Sequence, residues 1–142
     1  MNISKHLSLK EVVRSNTAIK KGIDNNPTKE HLNNLIRLAD NVFEPLREYI
    51  NKPINVSSGY RSEALNKLIG GASGSQHSKG EALDLDNGKL LNKIMFEYIK
   101  DNLEFDQLIN EQDYSWIHVS YRDGKNRKQV LKMINGKYYN YE

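Results

Sequence analysis

The hydrophobic positions of this chain change from helical to extended spacing as it runs from its N-terminal to its C-terminal half. Leu32, Leu35, Ile36, Ala39, Val42, Phe43, Leu46 and Ile50 recur on one helix face, which predicts a long helix from an N-cap at Thr28 to about Ile50. Pro45 lies inside that pattern. It removes a backbone donor and should bend the helix or end its regular part. Upstream, Ser8 and Glu11 have capping-box spacing, predicting a short helix through about Arg14. Ser15 to Asn26 is polar, is broken by Gly22, and reads as loop.

Past Lys52-Pro53 the runs shorten. Ile54 to Ser57 reads as a strand, and Glu63 to Ile69 as a short helix burying Leu65, Leu68 and Ile69, stopped by Gly70-Gly71. Ala72 to Gly80 reads as loop. Glu81 to Asp86 alternates, with Ala82 and Asp84 on one side and Leu83 and Leu85 on the other. Asn87-Gly88 leads into a helix through about Lys100, with Leu91, Ile94, Met95, Tyr98 and Ile99 inward. Met95 is a core filler in this reading. Leu103 to Glu111 and Trp116 to Tyr121 should pair as an antiparallel hairpin around Gln112 to Ser115. Asn135-Gly136 between Gln129 to Ile134 and Lys137 to Tyr141 is a second hairpin signal. Helices early and strands late imply an α+β fold, a small antiparallel sheet with flanking helices. With no internal repeat, one domain over residues 1–142 is expected: N-terminal helices (8–50), a metal-binding core (54–121) and a C-terminal hairpin (129–141).

Composition narrows the chemistry. At 142 residues the chain can bury one core without covalent staples. It has no cysteine, so thiolate metal sites and disulfides are excluded. The formal net charge is only +3, from interleaved lysines and acids. That is too little basic clustering to suggest nucleic-acid binding. No apolar run reaches the length of a membrane span, and a monomer is expected. The N-terminal M-N-I-S-K-H lacks the apolar segment of a signal peptide. An extracellular substrate would therefore be reached by lysis, in a phage particle or through a specialised exporter.

Against that background, three side chains stand out. His77 sits in a polar, glycine-rich loop, Asp84 in a strand otherwise filled by leucine and alanine, and His118 in the alternating run W-I-H-V-S. A carboxylate beside a core is costly unless compensated. Two imidazoles, one carboxylate and space for a water make the ligand set of a catalytic zinc. Each residue also has an ordinary reading. Asp84 could bond backbone donors or a lysine, His77 could be a solvated loop residue, and His118 a satisfied inner histidine. His6 and His31 read as surface histidines. A hydrolase also needs a proton acceptor. If Gln112 to Ser115 is a four-residue loop, Glu111 faces Trp116 and lies diagonal to His118 on the same sheet face. A loop one residue longer or shorter turns Glu111 away. Arg61, beyond Ser58-Gly59-Tyr60, suits a substrate carboxylate or carbonyl; its ordinary reading is a salt bridge pinning the loop. Ser75 and Gln76 are candidate donors to substrate, and Tyr60 and Trp116 candidate substrate contacts.

The motifs S-G-Y-R-S (58–62), L-N (65–66), G-G (70–71), S-Q-H-S-K-G-E-A-L-D-L (75–85), F-D-Q-L-I-N-E (105–111) and W-I-H-V-S-Y (116–121) carry a family resemblance. The chain resembles the M15 family of zinc D-Ala-D-Ala carboxypeptidases and L,D-endopeptidases, most closely its phage and prophage branch. L-S-L-K-E (7–11), N-N-P-T (25–28) and P-L-R (45–47) extend the likeness, which runs through about Arg127. The resemblance implies a hedgehog/D,D-peptidase type of fold and one zinc ion (Zn2+) per chain on His77, Asp84 and His118. It also implies a substrate-binding Arg61 and cleavage of a peptide bond in the peptidoglycan stem, in wall remodelling or host lysis. Synthesis in the cytoplasm and action on the wall after lysis, or within a phage or prophage system, is the matching expectation. One position departs from the family pattern. Many members carry an acidic base three residues before the last histidine, where this chain has Ser115. Glu111 is then the expected base. The rival readings are a non-catalytic wall-binding or virion structural domain that keeps the fold, and a zinc enzyme that cuts the muramyl-peptide amide.

Overall fold

A six-stranded sheet runs in the order β3-β4-β6-β5-β7-β8. Its strands are β3 (Val56–Ser58), β4 (Ala82–Leu85), β5 (Gln107–Glu111), β6 (Trp116–Ser120), β7 (Gln129–Ile134) and β8 (Lys137–Asn140). The computed structural model describes residues 1–141. One face of the sheet carries Leu83, Leu85, Leu108, Ile117 and Val119 into a single apolar cluster with Val12, Leu35, Leu38, Leu46, Met95, Phe96 and Ile99 from the helices. The opposite face carries Asp84, Glu111 and His118 and lines an open cleft. Every neighbouring pair of strands in this sheet is antiparallel except β5 and β7, which run parallel. The architecture is mixed α+β, as the order of patterns implied, but the sheet is not purely antiparallel. The crossover from β6 through residues 121–128 lays the last hairpin beside β5, where a hairpin-only reading would not put it.

The N-terminal layer begins with the short pair β1 (Asn2–Ser4) and β2 (Leu7–Ser8), then α1 (Leu9–Val13). The capping box closes at both ends: Glu11 N–H donates to the Ser8 hydroxyl oxygen and Ser8 N–H to the Glu11 carboxylate. Helix α2 (Asn16–Lys21) corrects the loop reading of this stretch. Ser15 caps it, accepting from Ala18 N–H at 3.1 Å. Only Ala18 of this helix is buried, so no apolar periodicity announces it. The long helix is α3 (Lys29–Leu38), a π-helical turn (Ala39–Phe43) and α4 (Glu44–Ile50) in succession. The wide turn sits immediately before Pro45. The ring would clash with the carbonyl four residues back and has no N–H to offer it, and widening the turn accommodates both.

Helix α5 (Glu63–Leu68) buries Leu65 but leaves Leu68 50% and Ile69 44% exposed, against expectation. At about one and a half turns it has only one face to bury. The stretch read as loop between Ala72 and Gly80 contains a 3-10 turn, Gln76–Lys79, capped by Ser75 and ended by Gly80 at φ +74. A side chain at Gly80 would overlap the His31 carbonyl, so this turn packs directly on α3. Helix α6 (Lys89–Asn102) buries Asn92, Met95, Phe96 and Ile99, while Ile94 is exposed and Leu91 and Tyr98 are half-buried. The predicted stripe is displaced because Asn92 occupies the core side as a polar hub. It donates to Asp86 Oδ1 and the Tyr114 carbonyl and accepts from Asn87 N–H at 2.7 Å.

Candidate metal centre

Strands β4 and β6 pair in a register that sets Asp84 directly opposite His118. Paired residues point to the same face, and Asp84 Oδ1 lies 2.9 Å from His118 Nδ1. His77 arrives from the 3-10 turn, with Nε2 3.4 Å from the same carboxylate oxygen. The two rings meet edge-on, with centroids 5.2 Å apart. One donor atom from each of the three residues falls within 4.8 Å of the others. His77 Nδ1 is 2.7 Å from the Gly59 carbonyl oxygen. Since that oxygen can only accept, the proton is on Nδ1 and Nε2 presents its lone pair to the cluster. Burial by itself would raise the Asp84 carboxyl, but the hydrogen bonds and charges of His118 and His77 hold it well below the usual carboxylate range. It is therefore ionised at neutral pH. Two imidazole nitrogens and one carboxylate oxygen, with the cleft open beside them, fit a three-ligand zinc site with a free position. The Gly59 carbonyl supplies the outer hydrogen bond that such sites use to fix a ligating histidine.

The turn between β5 and β6 has four residues, Gln112 to Ser115, so Glu111 pairs with Trp116 and Ile109 with His118. Glu111 is thereby diagonal to His118 on the cluster's face. Gln112, Asp113 and Tyr114 all have positive φ, at 46°, 53° and 60°. Asn110 Oδ1 secures this tight reversal by accepting from Tyr114 N–H. The Glu111 side chain is 6% exposed, lines the cleft, and makes no hydrogen bond among the described residues. Burial pushes its carboxyl up to about 6, with Asp84 adding to the rise and His118 opposing it. A buried, unbonded carboxylate beside a metal-binding cluster is poised to hold and move a proton. Ser115, at the position where a base was sought, is turned outward and donates its hydroxyl to the Gln112 carbonyl at 2.7 Å.

Arg61 lines the same cleft. Its backbone N–H donates to the His77 carbonyl at 3.2 Å, and its Nε is buried without a partner. Burial holds the guanidinium below its ordinary value, with Asp84 opposing. The side chain forms no salt bridge among the described residues. Its fork is therefore free for an anionic or carbonyl group. Ser75 and Trp116 also line the cleft; the Ser75 oxygen accepts from His77 N–H at 3.2 Å, leaving its hydroxyl proton free.

Of the expected substrate contacts, Tyr60 is corrected and Gln76 is partly engaged within the protein. Gln76 lines the cleft; its amide nitrogen donates one hydrogen to Asp106 Oδ2 at 2.9 Å, and its second amide N–H and its side-chain oxygen make no hydrogen bond among the described residues. Tyr60 is buried outside the cleft, its hydroxyl 3.0 Å from His31 Nδ1, because the tight packing of Gly59 on α1 turns the next side chain toward α3. Sequence reasoning missed the Gln76 anchor altogether. Asp106 is 0% exposed and accepts from Arg127 N–H, Nε and Nη2 as well as from Gln76. It also missed Leu131 and Tyr138 of the last hairpin, which line the cleft. No local signal marks either feature, since both depend on which distant strand lies alongside.

The cleft encloses about 640 Å³, within the range of small-molecule and peptide sites. A family model described as Peptidase M15 matches residues 5–120. No curated protein matches the chain.

Proposed function

The chain belongs to the peptidase M15 family, and from that premise we propose that it is a zinc-dependent peptidase cleaving a peptide bond in the peptidoglycan stem. One observation carries the reading: Glu111 turns into the cleft beside the His77, Asp84 and His118 cluster instead of toward solvent. A wall-binding domain that kept only the fold would have no use for a buried, unbonded carboxylate there, and desolvating it costs stability.

His77 Nε2, Asp84 and His118 Nδ1 are the atoms that would hold the ion. When bound, zinc supplies Lewis acidity and lowers the pKa of water. Glu111 accepts a proton from the attacking water. As the carbon–nitrogen bond breaks, it returns that proton to the leaving amine, so one carboxylate acts in turn as base and acid. Arg61 holds a substrate carboxylate or carbonyl by its free guanidinium edge, and the Ser75 hydroxyl offers one further donor. The peptidoglycan substrate, and a route to it by lysis or within a phage or prophage system, come from family membership and motif resemblance.

The test is metal content by elemental analysis, with peptide release from purified peptidoglycan, for the wild type and for Glu111→Gln. Stoichiometric zinc in both, with release lost only in the variant, is the expected result. Zinc without release from either protein returns the reading to a binding or structural domain.

A further inference from the structure

The cleft continues beyond Glu111. Glu111 pairs with Met133 across the parallel β5–β7 ladder, and Met133 with Tyr138 across β7–β8. Trp116, Glu111, Met133 and Tyr138 thus form one row across the sheet, on the face that carries the metal cluster. Leu131 stands in the next row, beyond Ile109 and His118. Leu131 and Tyr138 both line the cleft. Tyr138 is 59% exposed, and its side chain makes no hydrogen bond among the described residues. Burial, with the negative charges of Glu111 and Asp84, pushes its phenol up, so the hydroxyl keeps its proton. This hairpin lies beyond residues 5–120, the part of the chain that the family model covers.

Distance gives this wall a meaning. From β4 to β8 there are four strand spacings of about 4.8 Å, or roughly 19 Å of sheet surface. An extended peptide advances about 3.3 Å per residue, so the cleft matches five or six residues. A terminal dipeptide, two residue lengths long, spans only part of that surface.

We propose that Leu131 and Tyr138 form a distal subsite for a peptide that extends past Glu111, away from the metal cluster, with the Tyr138 hydroxyl hydrogen-bonding to its backbone. The inference rests on the peptidase reading and sharpens it toward a substrate longer than a terminal dipeptide.

Binding is separable from turnover, because Trp116, the single tryptophan of the chain, lines the cleft and reports occupancy by its fluorescence. In a zinc-loaded Glu111→Gln background, acetyl-D-Ala-D-Ala and a stem pentapeptide with the same ending would be titrated into protein with Tyr138 intact, Tyr138→Phe and Tyr138→Ala. The pentapeptide should bind more tightly than the short peptide. Tyr138→Phe should weaken the pentapeptide roughly fivefold, the effect of one hydrogen bond, and leave the short peptide unchanged. Tyr138→Ala should weaken it further. Equal affinity for the two peptides, an equal effect of Tyr138→Phe on both, or no binding of either overturns the subsite. Amine release by the zinc-loaded wild type is read separately: no release, with the binding pattern intact, removes the hydrolase and leaves the subsite standing.

Discussion

His77 Nδ1 donates to the Gly59 carbonyl at 2.7 Å, joining a metal-cluster histidine to a backbone oxygen 18 residues earlier in the chain. Gly59 is itself wedged against α1: Tyr60 N–H donates to the Val12 carbonyl at 2.8 Å, and a side chain at position 59 would overlap that carbonyl. The orientation of a candidate zinc ligand is therefore set by how closely an irregular segment packs on the first helix.

Gly59→Ala is expected to push this segment off α1 and rotate the carbonyl away from His77. The overlap should cost about 1–3 kcal/mol of stability, and loss of the orienting bond should cost about 10–100-fold in zinc affinity. Urea unfolding and zinc titration against a competing chelator measure the two effects separately. Unchanged zinc affinity in a destabilised protein would show that the Gly59 bond does not orient the ligand.

Glu111 opposes folding while it waits for a proton. Its folded pKa of about 6 lies above the reference 4.5, so the cost is fully present above about pH 6 and disappears below about pH 4.5. Glu111→Gln in metal-free protein should therefore be more stable at pH 7, by about 2 kcal/mol from the size of the shift. The gain should shrink to nothing toward pH 4. Calorimetry with a chelator present reads the difference. The same variant, loaded with zinc, should lose about 100-fold or more of peptide release.

Asp106 has the opposite sign. Hydrogen bonds from Arg127, and from Gln76, hold its carboxyl down at about 2 despite burial, against a reference of 3.8. The stability it contributes is present above about pH 4 and is lost as pH falls toward 2. Since Arg127 is half exposed and screened by water, about 1–2 kcal/mol is the expected size. Asp106→Asn should be destabilised by that amount at pH 7, with the gap narrowing by pH 3 in urea melts. Because Gln76 adjoins His77, the variant should also bind zinc more weakly.

Zinc should raise the melting temperature of the wild type and a chelator should reverse the rise, as mass action requires of an ion that binds only the folded chain. Asp84→Asn should abolish the zinc-dependent rise and lower affinity by more than about 100-fold, beyond the effect of losing an outer-shell partner. An Asp84→Asn protein that still melts higher with zinc would place the ion elsewhere.

The sequence by itself determined what each short stretch does along its own axis. The alternation of Ala82 to Leu85 put Asp84 on the face opposite the core leucines. The Ser8 capping box and the Asn135-Gly136 reversal mark where elements start or turn, whereas Glu111 faces Trp116 only because the folded turn from Gln112 to Ser115 has four residues, a length the sequence left open. These features rest on residue spacing, which fixes side-chain direction once an element type is chosen. The tertiary structure decided what lies across from each element. It brought Gly59 to His77, bound Gln76 to Asp106, displaced the buried stripe of α6 around Asn92, and laid β7 parallel to β5 so that Tyr138 reaches the Glu111 row. Periodicity carries no record of these partners, because hydrogen bonds and packing between distant segments depend on where the chain returns, not on how residues are spaced within one run.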